Sequence, residues 1–233
     1  MDIDIFSDTI CPWCFIGKRR LERALAERPQ PGLTIHWRAF QLNPDMPAGG
    51  MDRSQYLELK FGGASNAEAI YDQVHAAGET EGIEFAFERM KRTPNTIDSH
   101  RLIRHAGQKA EPGQGQPGQG QPGQARQDAV VQALFDAYFL RAEDIGDPEV
   151  LVAAAAEAGL DGEETRAFLA GDAEAEAVRA EDRSARQAGI SGVPCFLFNG
   201  QHALAGAHPP EVLHQLFDLA NQEDAAEAAA SEA

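Results

Sequence analysis

Ser7-Asp8-Thr9-Ile10-Cys11-Pro12-Trp13-Cys14-Phe15-Ile16-Gly17 carries the decisive signal of this 233-residue chain. Ahead of it, Ile3, Ile5 and Phe6 form a short apolar run that reads as a strand. Behind it, Cys14, Gly17, Leu21, Ala24 and Leu25 recur on one helical face. Pro12 suits the first position of that helix, where a missing N–H costs nothing. A C-x-x-C at a helix start puts its first sulfur among unpaired backbone N–H groups, at the positive end of the helix dipole, which favours thiolate over thiol. Cys11 is therefore the expected nucleophile. Cys14, one turn further in and facing the packed side, is the expected resolving thiol: it would displace a substrate from a mixed disulfide on Cys11. Trp13 is expected to shield the Cys11 sulfur and Pro12 to stiffen the turn.

Outward from this motif, Pro29, Pro31 and Gly32 end the helix, and Leu33 to Phe40 alternate at period two, a second strand. Strand, crossover helix and strand make a parallel βαβ unit. From about Ser54 to Gln187 no strand pattern stands out, while Ala, Glu, Gln, Arg and Leu recur with helical spacing. Strand signals return at Val193 to Phe198, followed by an Asn199-Gly200 hairpin turn, a short segment from Gln201 to Leu204 and a helix carrying Val212, Leu213, Leu216, Phe217 and Leu219. The expected organisation is an α/β fold, βαβ in residues 1–42 and ββα in residues 188–222, interrupted by a helical domain in 43–187. Residues 112–124, a Pro/Gly/Gln repeat, read as a flexible loop, and the Ala- and acid-rich tail 223–233 as a frayed end.

Composition narrows the partners. Twenty basic residues against 37 acidic ones give a net charge of −17, which repels phosphate backbones and anionic lipid, so neither nucleic acid nor a membrane surface is an expected partner. The acidity is uneven. Residues 1–40 hold six basic and five acidic side chains, whereas 141–187 hold five and thirteen. No run approaches the roughly 18–20 apolar residues of a membrane span. The opening residues lack a signal-peptide pattern, which points to the cytoplasm.

The cysteines admit other readings. Structural zinc would need Cys195 and a distant histidine to complete a ligand set with Cys11 and Cys14. Two inert buried cysteines, or Cys11 as an acyl-transfer nucleophile helped by an unplaced histidine, are further possibilities. The βαβ context favours thiol–disulfide exchange over these. A second informative place is Gly192-Val193-Pro194. Proline at a strand start fits either as an ordinary trans residue or as a cis one facing Cys11, with the Val193 backbone free to pair with an extended substrate.

Taken together, Ser7 to Gly17, Pro94-Asn95-Thr96-Ile97-Asp98-Ser99-His100-Arg101-Leu102 and Gly189-Ile190-Ser191-Gly192-Val193-Pro194 resemble the DsbA superfamily. The likeness is to its FrnE-like branch, related to 2-hydroxychromene-2-carboxylate isomerases and kappa-class glutathione transferases. The resemblance implies a thioredoxin fold split by a helical domain, with Cys11 nucleophilic, Cys14 resolving and Pro194 cis beside them. Substrates would be disulfide-containing proteins or small thiols, with glutathione as a co-substrate and no bound cofactor or metal.

The isomerase and transferase branches place a serine where Cys11 stands and carry a Gly-x-Asp-Arg-like segment after the last hairpin. Here Gly206-Ala207-His208-Pro209-Pro210 has neither acid nor arginine, which favours dithiol chemistry; a glutathione-dependent isomerase or transferase is the alternative. His100, on a helix expected to cover the cleft, is a candidate substrate contact alongside Val193, Pro12 and Trp13. Cys195 reads either as a small buried hydrophobe or as a third thiol close to the pair.

Overall fold

A computed structural model of the chain describes residues 1–108 and 122–231. Its central sheet contains β1 (Asp2–Ser7), β2 (Thr34–Ala39), β5 (Cys195–Phe198) and β6 (His202–Ala205), in the order β2-β1-β5-β6. β1 and β2 run parallel, joined by α1 (Pro12–Glu27), and the other neighbouring pairs are antiparallel. α9 (Pro210–Ser231) closes the ββα end. This is the thioredoxin arrangement that the sequence leads one to expect. The hairpin between β5 and β6 turns on Asn199 (φ +48°) and Gly200 (φ +69°), the paired left-handed conformations a two-residue turn requires and Asn-Gly adopts readily.

Alternation divides the sheet into two faces. Ile3 and Ile5 on β1 lie opposite Phe198 and Phe196 on β5, and all four are buried. They face α1 and α9, where Leu21, Ala24, Leu213 and Phe217 complete the core. Each such side chain contributes roughly 1.5–3 kcal/mol when removed from water.

Between β2 and β5 run α2 (Arg53–Phe61), α3 (Ala64–Glu79), α4 (Ile97–Gln108), α5 (Pro122–Phe135), α6 (Pro148–Glu157), α7 (Gly162–Leu169) and α8 (Ala175–Gln187). These helices manage the outer edge of β2, whose unpaired N–H groups would otherwise invite another strand. The Gln127 side-chain oxygen accepts from Trp37 N (3.4 Å) and the Glu181 carboxylate from Ala39 N (3.0 Å), while just beyond the strand Asp182 accepts from Gln41 N (2.8 Å). Lys18, buried on α1, reaches Asp128 of α5 at 2.9 Å. Phe15 stacks on Phe135 with ring centroids 5.1 Å apart. The inserted helices thus share a core with the thiol-bearing half.

Three expectations change. A two-stranded pair, β3 (Met51–Asp52) with β4 (Arg92–Thr93), lies within the span expected to be purely helical or irregular; two-residue strands have no periodicity to read. Residues 112–121 of the Pro/Gly/Gln stretch lie outside the described residues, and 122–124 open α5 instead of closing a loop. The acidic tail does not fray at residue 223, because α9 continues to Ser231. Alanine and glutamate favour helix, and two tail residues are anchored. Glu223 meets His202 Nε2 at 2.7 Å, and Asp224 takes both the chain's amino group (3.0 Å) and Asn199 Nδ2 (2.8 Å).

Candidate active site

Cys11 is the N-cap of α1, in extended conformation (φ −91°, ψ 112°), with Pro12 opening the helix and no acidic side chain in its first turn. The preceding loop closes by two backbone bonds, Cys11 N to Asp8 O and Cys14 N to Cys11 O, each 3.0 Å. The helix start therefore directs its free N–H groups and positive dipole end toward the Cys11 sulfur, with no carboxylate in that turn to offset them. Both cysteines are buried, Cys11 at 3% and Cys14 at 1% exposure. Pro12, Trp13 and Val193 are half-buried and form the accessible rim.

The two ends of the chain meet here. The Cys11 Sγ donates to the Val193 carbonyl at 3.5 Å, and the Val193–Pro194 peptide is cis. Pro194 O in turn accepts from Gly206 N at 2.7 Å, tying the β6–α9 loop to the site. Gly17 sets how closely α1 approaches this corner. A Cβ there would stand 3.0 Å from Pro194 Cγ and 3.3 Å from Phe196 Cζ, so any larger residue would push the proline away from the helix.

Burial pushes the Cys14 thiol well above its ordinary range. Its neighbour Cys11 raises it further, against a smaller lowering influence of the nearby Ser7 hydroxyl and Asp8 N–H. Ser7 belongs to the same face of β1 as Ile3 and Ile5, the α1 side. Cys195 belongs to the other. It lies opposite Phe6 in the β1–β5 register, whereas its neighbours Pro194 and Phe196 point at Gly17 on α1. The sheet thus separates Cys195 from the pair, which favours the reading as a small buried hydrophobe over that of a third thiol beside the pair, and burial alone raises its pKa. Cys195→Ser should leave the rate of disulfide exchange within twofold of wild type in an insulin-reduction assay; a tenfold loss would contradict this separation.

His100 is not at the cleft surface. It is 3% exposed and lies beneath the cysteine loop, its Nε2 3.6 Å from Asp8 Oδ1 and without a hydrogen-bond partner. Packing of α4 under the loop, secured by Thr9 Oγ1 and Ser99 Oγ at 2.7 Å, buries the residue expected to contact substrate. Asp8, overlooked in the sequence, is fully buried. Its carboxyl group accepts from Leu42 N (2.6 Å) and Ile10 N (3.4 Å), which fixes the loop before Cys11 to the end of β2. Its place three residues before the first cysteine was the available signal, since a loop held that tightly needs an acceptor for its N–H groups.

Beside the site lies a groove of about 310 Å³ lined by Leu42, Met46, Met51, Tyr56 and Leu59 among others. Tyr56 is raised by burial, and the charges of Asp8 and Cys11 are near enough to add to the effect. α2, which forms one wall, has no buried residue, and Leu59 is 74% exposed. On the other side of the site, Arg20 reaches the 206–210 loop, but its guanidinium is held by Ala207 O (2.6 Å) and Glu81 (2.8 Å). Among the described residues no three His, Cys, Asp or Glu side chains converge as metal ligands, and no helix is long and apolar enough to cross a membrane.

A helix-capping C-x-x-C against a cis-proline loop, in a thioredoxin fold split by helices, defines a thiol-oxidoreductase class of site. The chain belongs to the DSBA-like thioredoxin domain family, whose model matches residues 2–218. A probable DsbA oxidoreductase from Streptomyces coelicolor is similar over 96% of this chain and 91% of its own, with 34% identity and a TM-score of 0.81. Two more distant structures share the fold. A 2-hydroxychromene-2-carboxylate isomerase has a TM-score of 0.64 at 18% identity, covering 98% of each chain. The cytosolic disulfide reductase DsbM from Pseudomonas aeruginosa has a TM-score of 0.62 at 18% identity, covering 94% of this chain and all of its own.

Proposed function

We propose that this protein is a FrnE-like dithiol–disulfide oxidoreductase working in the cytoplasm on disulfide-containing proteins or small thiols. The observation that carries this reading is the pairing of Cys11, at a helix N-terminus and 3.5 Å from the Val193 carbonyl, with a more deeply buried Cys14 one turn behind it. The Cys11 thiolate attacks one sulfur of a substrate disulfide. The substrate S–S bond breaks, one half leaves as a thiol, and the other stays bonded to Cys11. Cys14 then gives up its proton and attacks the Cys11 sulfur, expelling the second substrate thiol and leaving a Cys11–Cys14 disulfide. Two electrons pass from enzyme to substrate, and the reverse sequence oxidises a dithiol.

In this reading Pro12, Trp13 and Val193 touch the substrate, the Val193 backbone pairing with its extended chain beside Pro194. The neighbouring groove, with its two methionines and exposed leucine, suits an apolar side chain flanking a substrate cysteine, because unbranched methionine adapts to varied shapes. Glutathione as co-substrate draws support from DsbM, whose structure has also been determined with GSH. A glutathione-dependent isomerase reading has the isomerase likeness in its favour. Against it stand Cys11 at the position that branch fills with serine, and a 206–210 loop without an anchoring acid or arginine. Anaerobic insulin reduction with dithiothreitol tests the proposal. Wild type should accelerate it, and neither Cys11→Ser nor Cys14→Ser should match wild type. Full activity in both variants would overturn it, and retention on glutathione resin without insulin reduction would favour the isomerase.

A further inference from the structure

The dithiol reading asks the Val193 backbone to pair with substrate, so whatever holds that backbone over Cys11 decides how well the substrate is seated. Val193 and Pro194 form the bend between α8 and β5, and Val193 N has no partner among the described residues. Behind the bend, Pro194 O accepts from Gly206 N at 2.7 Å, which couples it to the loop 206–209 between β6 and α9. That loop has few ties of its own. Gly206 adopts a left-handed conformation (φ +98°), and the His208 ring bonds Ala205 O at 3.0 Å, within the same segment. Among the described residues, one side chain from elsewhere in the chain hydrogen-bonds the loop: Arg20 of α1, whose Nη1 donates to Ala207 O at 2.6 Å.

Arg20 is itself braced. Its Nε donates to Glu81, in the turn after α3, at 2.8 Å, and the two side chains are shielded, at 16% and 4% exposure. The turn leans on the active-site helix through Phe85, whose ring meets Phe15 edge-on at 6.2 Å. Glu81 also pairs with Arg23 at 2.7 Å. Such a shielded ion pair adds little net stability, because desolvation offsets the attraction. What a planar guanidinium supplies is direction, holding two acceptors in a fixed relation.

We propose that Arg20, braced by Glu81, is a positioning residue: it clamps the 206–209 loop to the active-site helix and so keeps Val193 and Pro194 where an extended substrate pairs beside Cys11. The clamp runs from Glu81 to Arg20, to Ala207 and Gly206, and on to Pro194; every link except the Gly206–Ala207 peptide bond is a hydrogen bond. Its parts come from the inserted region, the active-site helix and the last loop. Gly17 permits the close approach, since a Cβ there would lie 3.6 Å from Ala207 Cβ and 3.0 Å from Pro194 Cγ. Pairing with the Val193 backbone forms when substrate binds and persists while the sulfurs react. Its loss therefore weakens binding and leaves the chemistry unchanged. A small reagent that needs no backbone partner is indifferent to it.

This inference rests on the dithiol reading, and one experiment separates the two. A peptide whose single cysteine carries a thionitrobenzoate disulfide is mixed with excess reduced enzyme. Single-turnover release of thionitrobenzoate gives a half-saturating concentration and a limiting rate, and alkylation by iodoacetamide reports on the Cys11 thiol alone. Arg20→Met should raise the half-saturating concentration about tenfold, as expected for the loss of one or two hydrogen bonds to substrate, with limiting rate and alkylation within twofold of wild type. Arg23→Met removes a Glu81 partner without touching the loop, so all three readings should stay within twofold. Glu81 keeps Arg23 in the Arg20 variant; should that variant still fail to fold, Arg20→Lys carries the test. Its single ammonium does not replace the fork, and the half-saturating concentration should rise about threefold. An unchanged half-saturating concentration in folded Arg20→Met, or in Arg20→Lys where it carries the test, would overturn the clamp. So would an equal rise in Arg23→Met, or alkylation slowed in parallel with a weakened half-saturation. A wild type that releases no thionitrobenzoate, or a Cys11→Ser variant that releases it equally well, would overturn the dithiol reading itself and the clamp with it.

Discussion

Cys11→Ser should reduce insulin no faster than dithiothreitol alone, a loss of roughly a hundredfold or more in the enzyme-dependent rate. Serine fits the N-cap as well as cysteine does, so the fold survives, but a hydroxyl is not appreciably ionised at neutral pH and does not attack a disulfide. No other sulfur can take over. Cys14 lies behind the first turn with its thiol pushed well up by burial, and Cys195 points to the other face of the sheet. The magnitude follows from that isolation: one group touches the substrate sulfur, and removing it leaves only the uncatalysed reaction. Residual activity of a tenth of wild type would mean that a second thiol reaches the substrate.

The largest effect on stability is expected at Arg101. This guanidinium is 3% exposed and donates to three backbone carbonyls, Phe168 O (3.1 Å) in the last turn of α7 and Gly171 O (2.7 Å) and Ala173 O (2.7 Å) in the α7–α8 connection. It also bonds Asp98 Oδ1 at 2.7 Å and lies 5.0 Å from the Phe168 ring centroid. Arg101→Met fills similar space without a single donor. The carbonyls and one carboxylate lose their partner together, at a cost of about 3–5 kcal/mol, which lowers the melting temperature by on the order of 10 °C. Circular dichroism on heating checks this. A loss under 1 kcal/mol would mean that water replaces the guanidinium. Insulin reduction per folded molecule should persist, because Arg101 ties the inserted helices to one another and touches neither cysteine.

Both halves of the sheet were readable because their signals are local. Ile3 and Ile5, the period-two run before Phe40, the Asn199-Gly200 turn and the Cys11-Pro12 helix start each specify a backbone conformation by themselves. What escaped was whatever depends on contacts distant in sequence. Asp8 reads as an ordinary loop acid until Leu42 is folded onto it, and Gly17 as a neutral helix residue until Pro194 arrives against it. His100 reads as a substrate contact because its motif places it on a helix expected to cover the cleft, yet that placement does not say which of the helix's side chains the cysteine loop buries. The two readings of Cys195 stay open in the sequence for a related reason. Proximity to Pro194 along the chain does not fix proximity to Cys11, because one step along a strand moves a side chain to the opposite face.

The central claim is that Cys11 bonds the substrate and Cys14 releases it. Cys14→Ser removes the second step alone, so a disulfide-containing peptide incubated with this variant should accumulate a one-to-one mixed disulfide. Non-reducing mass spectrometry with proteolytic mapping would locate the adduct. The account predicts that it lies on Cys11 and is reversed by dithiothreitol, with Cys195 unmodified. An adduct on Cys195, or none on Cys11 under conditions where wild type turns over, would contradict it.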